Sequence, residues 1–183
     1  MRHKDPQPVL DELSQALDQG RPANLRGWNL STMDLPNINL AGMDLRRTKF
    51  IGAELRGVIL RGADLTGADL QGALLYGADL NSANLTGANL RGANLRASDL
   101  TQANLTGANL AGARLVGATL DPRQLLGARG LYPNHGDHRI PPAHWDRILP
   151  KDPVEKALLF ALLDDWDGTL QEAIDAATAL RDA

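Results

Sequence analysis

The sequence predicts a mainly β protein built as a solenoid, and a five-residue repeat supports this prediction. Leucine, replaced once by Phe50, stands at every fifth position from residue 25 to residue 120. Alanine stands two places before this central residue in thirteen of the twenty repeats, and glycine is the commonest residue two places after it. A period of five excludes an α-helix, because 3.6 residues per turn would spread the leucines over every side.

The order of residues within a repeat predicts one short strand and one corner. In an extended chain Ala-Asn-Leu points inward, outward and inward, because side chains alternate between the two faces. The next two residues must turn the chain before the following Ala points inward again, and Gly readily adopts the turn dihedrals. The Asn and Asp before each Leu suit local bonds to the backbone at corners, rather than a metal or catalytic array.

The motif A-[DN]-L-x-G is most regular in the run from Gly62 to Leu90, GADLTGADLQGALLYGADLNSANLTGANL. On this motif residues 23–120, a little over half of the chain, resemble the pentapeptide repeat family. The resemblance implies a right-handed quadrilateral β-helix with four repeats per coil and about five coils. At about 4.8 Å per coil the rod would be roughly 20–25 Å long.

Residues 1–22 are predicted to form an N-terminal capping helix, which runs from Pro6 to Gln19 with Asp5 as its N-cap and Gly20 as its stop. Its apolar stripe is Val9, Leu10, Leu13 and Leu17. Several early repeats carry large residues where Ala is usual, and we expect these to meet the helix, which covers the open strand edges. They are Trp28, Met33, Ile38 and Met43.

Residues 121–150 are predicted to be a short capping helix followed by a linker. Asp121 and Pro122 read as N-cap and first residue of a helix that ends near Ala128, with Leu125 and Leu126 turned onto the last coil. The linker holds four residues that could suggest zinc, but their spacing fits no closed structural site, so solvated loop histidines are the prediction. These residues are His135, Asp137, His138 and His144.

Residues 151–183 are predicted to form a C-terminal helical hairpin. Its first helix contains the apolar run 157–163, and its second begins with a capping box from Thr169 to Glu172. Two arrangements remain open, since the hairpin could pack on the rod or join two chains as a homodimer. The dimer residues would be Leu158, Leu159, Leu162, Leu163 and Trp166.

Several classes of function lack support in the sequence. The chain has no Cys, and its residues assemble no Gly-rich phosphate loop or Ser–His–Asp arrangement, so we expect neither an enzyme nor a cofactor. No apolar run follows Met1, so a cytoplasmic protein without a membrane span is expected. The basic residues early in the rod are mixed with acids and lack interleaved aromatics, which argues against nucleic-acid binding.

The resemblance also implies an alternative function, because some pentapeptide repeat proteins bind DNA gyrase as mimics of duplex DNA and confer drug resistance. Residues 23–120 carry nine Lys or Arg against seven Asp or Glu, a net charge of +2. Such a surface would not present a phosphate-like field. Binding of DNA gyrase or topoisomerase is therefore the second hypothesis.

The favoured hypothesis is a non-enzymatic protein–protein interaction scaffold with an unknown protein partner. Leu74 and Tyr76 stand at outward positions of their repeat, where burial in the core cannot explain them. If a coil holds twenty residues, Arg56 and Arg96 lie one coil to either side of Tyr76. An apolar and aromatic centre framed by Arg has the composition of an interface hot spot. The alternative is that the C-terminal hairpin folds back over this face.

Overall fold

The computed structural model describes residues 7–21, 23–130, 151 and 169–182. Helix α1 spans Gln7–Asp18, a 3₁₀ helix spans Pro122–Leu125, and helix α2 spans Leu170–Asp182. Between α1 and the 3₁₀ helix the chain forms a β-solenoid. The predicted N-cap Asp5, the linker histidines and the first hairpin helix lie outside the described residues.

The strands of the solenoid are single bridging residues, each paired in parallel with the residue twenty places further on, as Asp64 is with Asn84. Four such bridges complete one coil, which agrees with the predicted four-sided coil of twenty residues. The handedness of the solenoid remains a prediction.

We number the four faces of the solenoid in chain order by their outward residues. The first face is Asn24, Asp44, Asp64, Asn84 and Asn104; the second is Asn29, Lys49, Asp69, Asn89 and Asn109; the third is Asp34, Glu54, Leu74, Asn94 and Arg114; the fourth is Asn39, Ile59, Asp79, Asp99 and Thr119.

Backbone hydrogen bonds between coils fix this register. The Asn84 N–H donates to the Ala63 carbonyl at 2.9 Å, and the Leu65 N–H donates to the Asn84 carbonyl at 2.8 Å. The interior beneath these bonds holds a ladder of Leu over a ladder of Ala, and Leu65, Leu85 and Ala63 have no exposed surface. Apolar burial and backbone pairing therefore depend on the same twenty-residue repeat.

Each corner is a β-turn whose third residue has a left-handed backbone. At one corner the Ala68 N–H donates to the Leu65 carbonyl at 2.9 Å, and Gly67 has a φ of 65°. Glycine adopts this conformation without the steric cost that a Cβ brings. Six corners instead place a non-glycine residue there, with φ between 55° and 61°: Thr32, Asn37, Arg47, Ser82, Ala97 and Gln102.

The outward Asn and Asp residues form the local bonds predicted for them. In thirteen repeats the Oδ1 atom accepts a hydrogen bond from the backbone N–H two residues later, for example from Thr66 to Asp64 at 3.1 Å. This bond satisfies a corner N–H and holds the turn. A repeat that lacks Asn or Asp at this position forgoes it.

Helix α1 packs on the first coils through Val9 and Ala16, which are buried, and through Leu13, which is half-buried. The large residues of the early repeats pack in the hydrophobic core of the rod: Trp28, Met33, Ile38 and Met43. Met43 lines a cavity with Leu13 of α1, and contact of the other three with the helix stays a prediction. The placement of Leu10 on the buried stripe was wrong, since this side chain is 43 % exposed. The side chain of Leu17 is outside the described set.

Glu12 joins α1 to the open edge of the first coil. Its carboxylate accepts a hydrogen bond from the Asn24 N–H at 3.0 Å and pairs with Arg21 at 2.7 Å. In later coils the equivalent N–H donates to a carbonyl of the preceding coil, which the first coil does not have. The hydrogen bond from Arg21, together with that from the Asn24 N–H, lowers the pKa of Glu12 from 4.5 to about 2.

The 3₁₀ helix ends at Leu125, so the prediction of a helix reaching Ala128 was wrong. The chain instead resumes parallel pairing, and the Gly107 N–H donates to the Gly127 carbonyl. Arg129 then bridges to Asn109, which begins a sixth coil. The capping box predicted for α2 is present, since Thr169 and Glu172 exchange hydrogen bonds of 2.7 and 3.2 Å.

The left-handed corners predict a stabilising substitution. Ala97→Gly should raise the free energy of unfolding by about 0.5–1 kcal/mol, because it relieves a Cβ clash at φ 55°. Urea titration would measure the change. Ala41→Gly is the matched control, since Ala41 precedes its corner glycine and has no left-handed strain; there the free energy should fall by about 0.4–1 kcal/mol. Equal effects of the two substitutions would contradict the argument.

The lowered pKa of Glu12 predicts that acid weakens the attachment of α1 to the first coil. Because its pKa is depressed in the folded chain, its stabilising effect is present above pH 4.5 and is lost as the pH falls towards 2. Glu12→Gln should therefore lower the Tm at pH 7 but not at pH 2. Differential scanning calorimetry of both proteins across this range would test the prediction, and a Tm difference that persists at pH 2 would refute it.

Candidate interaction surface

The third face and its two corners form a grid of three columns and five coils, which we call the third-face surface. Each corner column follows from a backbone bond, as when the Gly57 N–H donates to the Tyr76 carbonyl at 3.0 Å. The central column is Asp34, Glu54, Leu74, Asn94 and Arg114. The preceding corner carries Ser31, Ile51, Gln71, Arg91 and Ala111, and the following corner carries Pro36, Arg56, Tyr76, Arg96 and Val116.

The structure brings the four predicted partner residues together. Leu74 is 36 % exposed and Tyr76 is 50 % exposed, whereas the flanking Ala73 and Leu75 are buried. Arg56 and Arg96 occupy the coils on either side of Tyr76, as the twenty-residue register predicts. Their role in binding remains a prediction.

Leu74 departs from the repeat in a way that the core does not require. Its position carries Asn or Asp in the thirteen repeats that hold the following corner N–H. Leucine has no acceptor, so this repeat gives up a turn-stabilising bond and exposes an apolar side chain instead. The fourth face repeats the substitution at Ile59, which is 37 % exposed.

Charge changes sign along the third-face surface. Toward α1, Glu54 pairs with Arg56 at 2.6 Å. Asp34 has no corner N–H to bind, because Pro36 lacks one. Toward α2, Arg91 and Arg114 are exposed, and within the described part of the chain neither forms an ion pair. The surface is therefore acidic at one end, apolar in the middle and basic at the other end.

Sequence reasoning missed three residues of this surface. Val116 is 51 % exposed, and Arg91 and Arg114 are exposed in the same grid. The twenty-residue register could have identified them, because it assigns every outward residue a position on the surface when it is applied to all three columns. The interface prediction used the register only for the column of Arg56, Tyr76 and Arg96.

Helix α2 lies at the end of the rod. The Gln171 N–H donates to the Leu126 carbonyl at 2.9 Å, Ala173 is buried, and Ile174 packs against the core. This arrangement places the second hairpin helix on the solenoid, as one of the two open alternatives has it. The predicted dimer residues 158, 159, 162, 163 and 166 lie outside the described residues, so a homodimer through them remains a prediction.

Surface ion pairs also occur outside the third-face surface. On the first face Arg46 pairs with Asp44 at 2.6 Å and approaches Asp64 at 3.6 Å. The hydrogen bond from Arg46 lowers the pKa of Asp44 from 3.8 to about 2. Among the described residues, no three His, Cys, Asp or Glu are grouped to hold a metal ion. The linker histidines are outside this set.

An open cavity of about 350 Å³ lies between α1 and the first coils, and Leu13, Ala16 and Met43 line part of it. Its charged residue, Arg21, is already paired with Glu12. The cavity therefore belongs to the packing of α1. No described helix combines the length and apolar character needed to cross a membrane.

A four-sided β-solenoid built on a five-residue repeat defines a solenoid repeat protein. Comparison with family models agrees, since the model for pentapeptide repeats matches eight copies over residues 23–62, 59–96 and 88–121. The chain therefore belongs to the pentapeptide repeat family. A search of curated proteins found no match.

Solved structures similar to this chain are also pentapeptide repeat proteins. HetL of the cyanobacterium Nostoc, involved in the regulation of heterocyst differentiation, is 35 % identical over 63 % of this chain with a TM-score of 0.55, and the chain covers 53 % of HetL. A protein of the Arabidopsis thaliana thylakoid lumen is 22 % identical over 84 % of this chain and 88 % of its own length, with a TM-score of 0.38. QnrB1, a plasmid-mediated fluoroquinolone resistance protein, is 19 % identical over 57 % of this chain and 66 % of its own, with a TM-score of 0.33.

Proposed function

We propose that the protein is a non-enzymatic interaction scaffold that binds a protein partner through the third-face surface. The observation that carries the proposal is Leu74, which gives up a corner bond to expose an apolar side chain beside Tyr76. Apolar and aromatic residues flanked by Arg are typical of interface hot spots. A cytoplasmic location remains the prediction from the sequence.

A rigid rod suits this function because its flat face is already ordered before binding. Backbone bonds to both neighbouring coils hold the Leu74 repeat, including those from the Leu74 N–H to the Ala53 carbonyl and from the Leu75 N–H to the Asn94 carbonyl. A partner would thus lose little entropy in ordering this side of the interface. HetL, to which the chain is similar, offers a precedent for a regulatory role in this family.

The proposal is tested with a variant that restores the consensus. Leu74→Asn should keep or raise the Tm, because Asn supplies the missing acceptor for the corner N–H. Combined with Tyr76→Ser, it should abolish capture of the partner from native lysate, measured by affinity purification and mass spectrometry. Ile59→Asn, the same substitution on the fourth face, is the matched control and should leave capture intact. A partner that the Leu74/Tyr76 variant still binds would place the site elsewhere.

The alternative function, DNA mimicry on gyrase, predicts a different result. The repeats carry a net charge of +2, and six of their seven acids sit in corner bonds or ion pairs, as Asp79 does with Arg61 at 3.1 Å. We therefore expect that the purified protein at stoichiometric concentration does not protect gyrase supercoiling from a quinolone. Protection in this assay would favour mimicry over the scaffold.

A further inference from the structure

We infer that the partner on the third-face surface is a second copy of this chain, bound face to face with its rod antiparallel. This inference rests on the proposed function and names the occupant of the same surface. It is separate from a dimer through the C-terminal hairpin, because it uses only residues of the solenoid. The order of residues along the five coils supports this pairing.

The pattern of the third-face surface is self-complementary about its third coil. A two-fold axis that lies in the interface, perpendicular to the rod, places the first coil opposite the fifth and the second opposite the fourth. Asp34 then faces Arg114 of the second copy, and Pro36 faces Val116. Leu74 and Tyr76, in the middle coil, face their own counterparts. Apolar residues thus meet at the centre and opposite charges meet at both ends.

The second and fourth coils are also compatible with this pairing. Glu54 would face Asn94, with Arg91 and Arg96 of the second copy on either side. Arg56 and Arg96 stand opposite each other, but Arg56 already binds Glu54 at 2.6 Å and 2.8 Å. The Glu54 carboxylate therefore lies where it can be shared between the two guanidinium groups.

The same pattern argues against parallel rods. A parallel pair would bring Asp34 opposite Asp34 and Arg114 opposite Arg114, and like charges at both ends would oppose association. The antiparallel pair converts both contacts into attractions. Since Asp34 and Arg114 form no ion pair in the described part of their own chain, neither must break one to bind.

One face of five coils, roughly 20–25 Å long, is small for a protein interface, so the dimer should be weak and dependent on concentration. Sedimentation velocity of the full chain from about 5 to 500 µM should show a shift from 19.6 kDa toward twice that mass. The shift should diminish at high salt, because exposed charges at both ends contribute.

Charge exchange tests the pairing directly. Asp34→Arg alone and Arg114→Asp alone should each weaken association about tenfold or more, because each places like charges at both ends of the dimer. An equal mixture of these two variants should associate again, since every end contact in the mixed dimer joins opposite charges. Folding is checked by circular dichroism. A mixture that stays monomeric, or single variants that associate like the wild type, would overturn the inference.

Cysteine cross-linking locates the axis, and the chain has no Cys of its own. A short bismaleimide cross-linker should join Leu74→Cys into a dimer, because faces packed about 10 Å apart are too distant for a direct disulfide. It should not join Ile59→Cys, at the same position on the fourth face. Equal cross-linking of both would overturn the pairing. A purified protein that stays monomeric but captures another protein through Leu74 and Tyr76 would likewise remove this inference and leave the proposed function standing.

Discussion

The twenty-residue register between coils is the constraint on which the rest of this structure depends. Beyond the first coil, the N–H and the carbonyl of an outward residue bond to the preceding coil, as those of Asn84 do with Ala63 and Leu65. Because a coil contains four repeats of five, this register also stacks Leu on Leu and Ala on Ala. One inserted residue would move a leucine from the interior to the surface and break the backbone pairing beyond it. The unbroken five-residue phase of the sequence reflects that double penalty.

At each end of the rod, backbone groups that would bond to a further coil need another hydrogen-bond partner. At the N-terminal end the Glu12 carboxylate accepts from the Asn24 N–H in place of a preceding carbonyl. At the other end the Gln124 side-chain amide donates to the Ala103 carbonyl, which the backbone N–H of residue 124 would bind in a regular further coil. The same amide donates to the Leu100 carbonyl, which also accepts from the Ala103 N–H. Side chains on capping helices thus replace the missing strands. The same side chains protect the strand edges at both ends from pairing with other chains.

Periodicity predicted most of the solenoid, because a strict repeat leaves only one way to place its residues. The stacking of Tyr76 between Arg56 and Arg96, for example, followed from counting. The exposure of Leu10 could not be predicted, since an apolar stripe on a helix does not show which of its edges faces the solenoid. The early end of the 3₁₀ helix could have been predicted, because Leu125 and Ala128 continue the five-residue phase of the repeats. The helix start at Asp121-Pro122 instead suggested a longer helix. Ion pairs such as Arg61 with Asp79 depend on side-chain rotamers that the pattern does not encode.

The outward positions carry the information about function because the core does not constrain them. Two of them, at Leu74 and Ile59, exchange a corner acceptor for an exposed apolar side chain, so the exchange alone does not mark a site. Their surroundings differ. Ile59 lies beside Arg61 and Asp79, which neutralise each other in an ion pair and so leave little charge to bind a partner. Leu74 lies beside exposed Tyr76, between Asp34 at one end and Arg91 and Arg114 at the other. These three charges form no ion pair among the described residues of the chain. A surface with separated and unsatisfied charges gives an incoming protein both an orientation and an attraction, and on this rod that combination occurs on the third face.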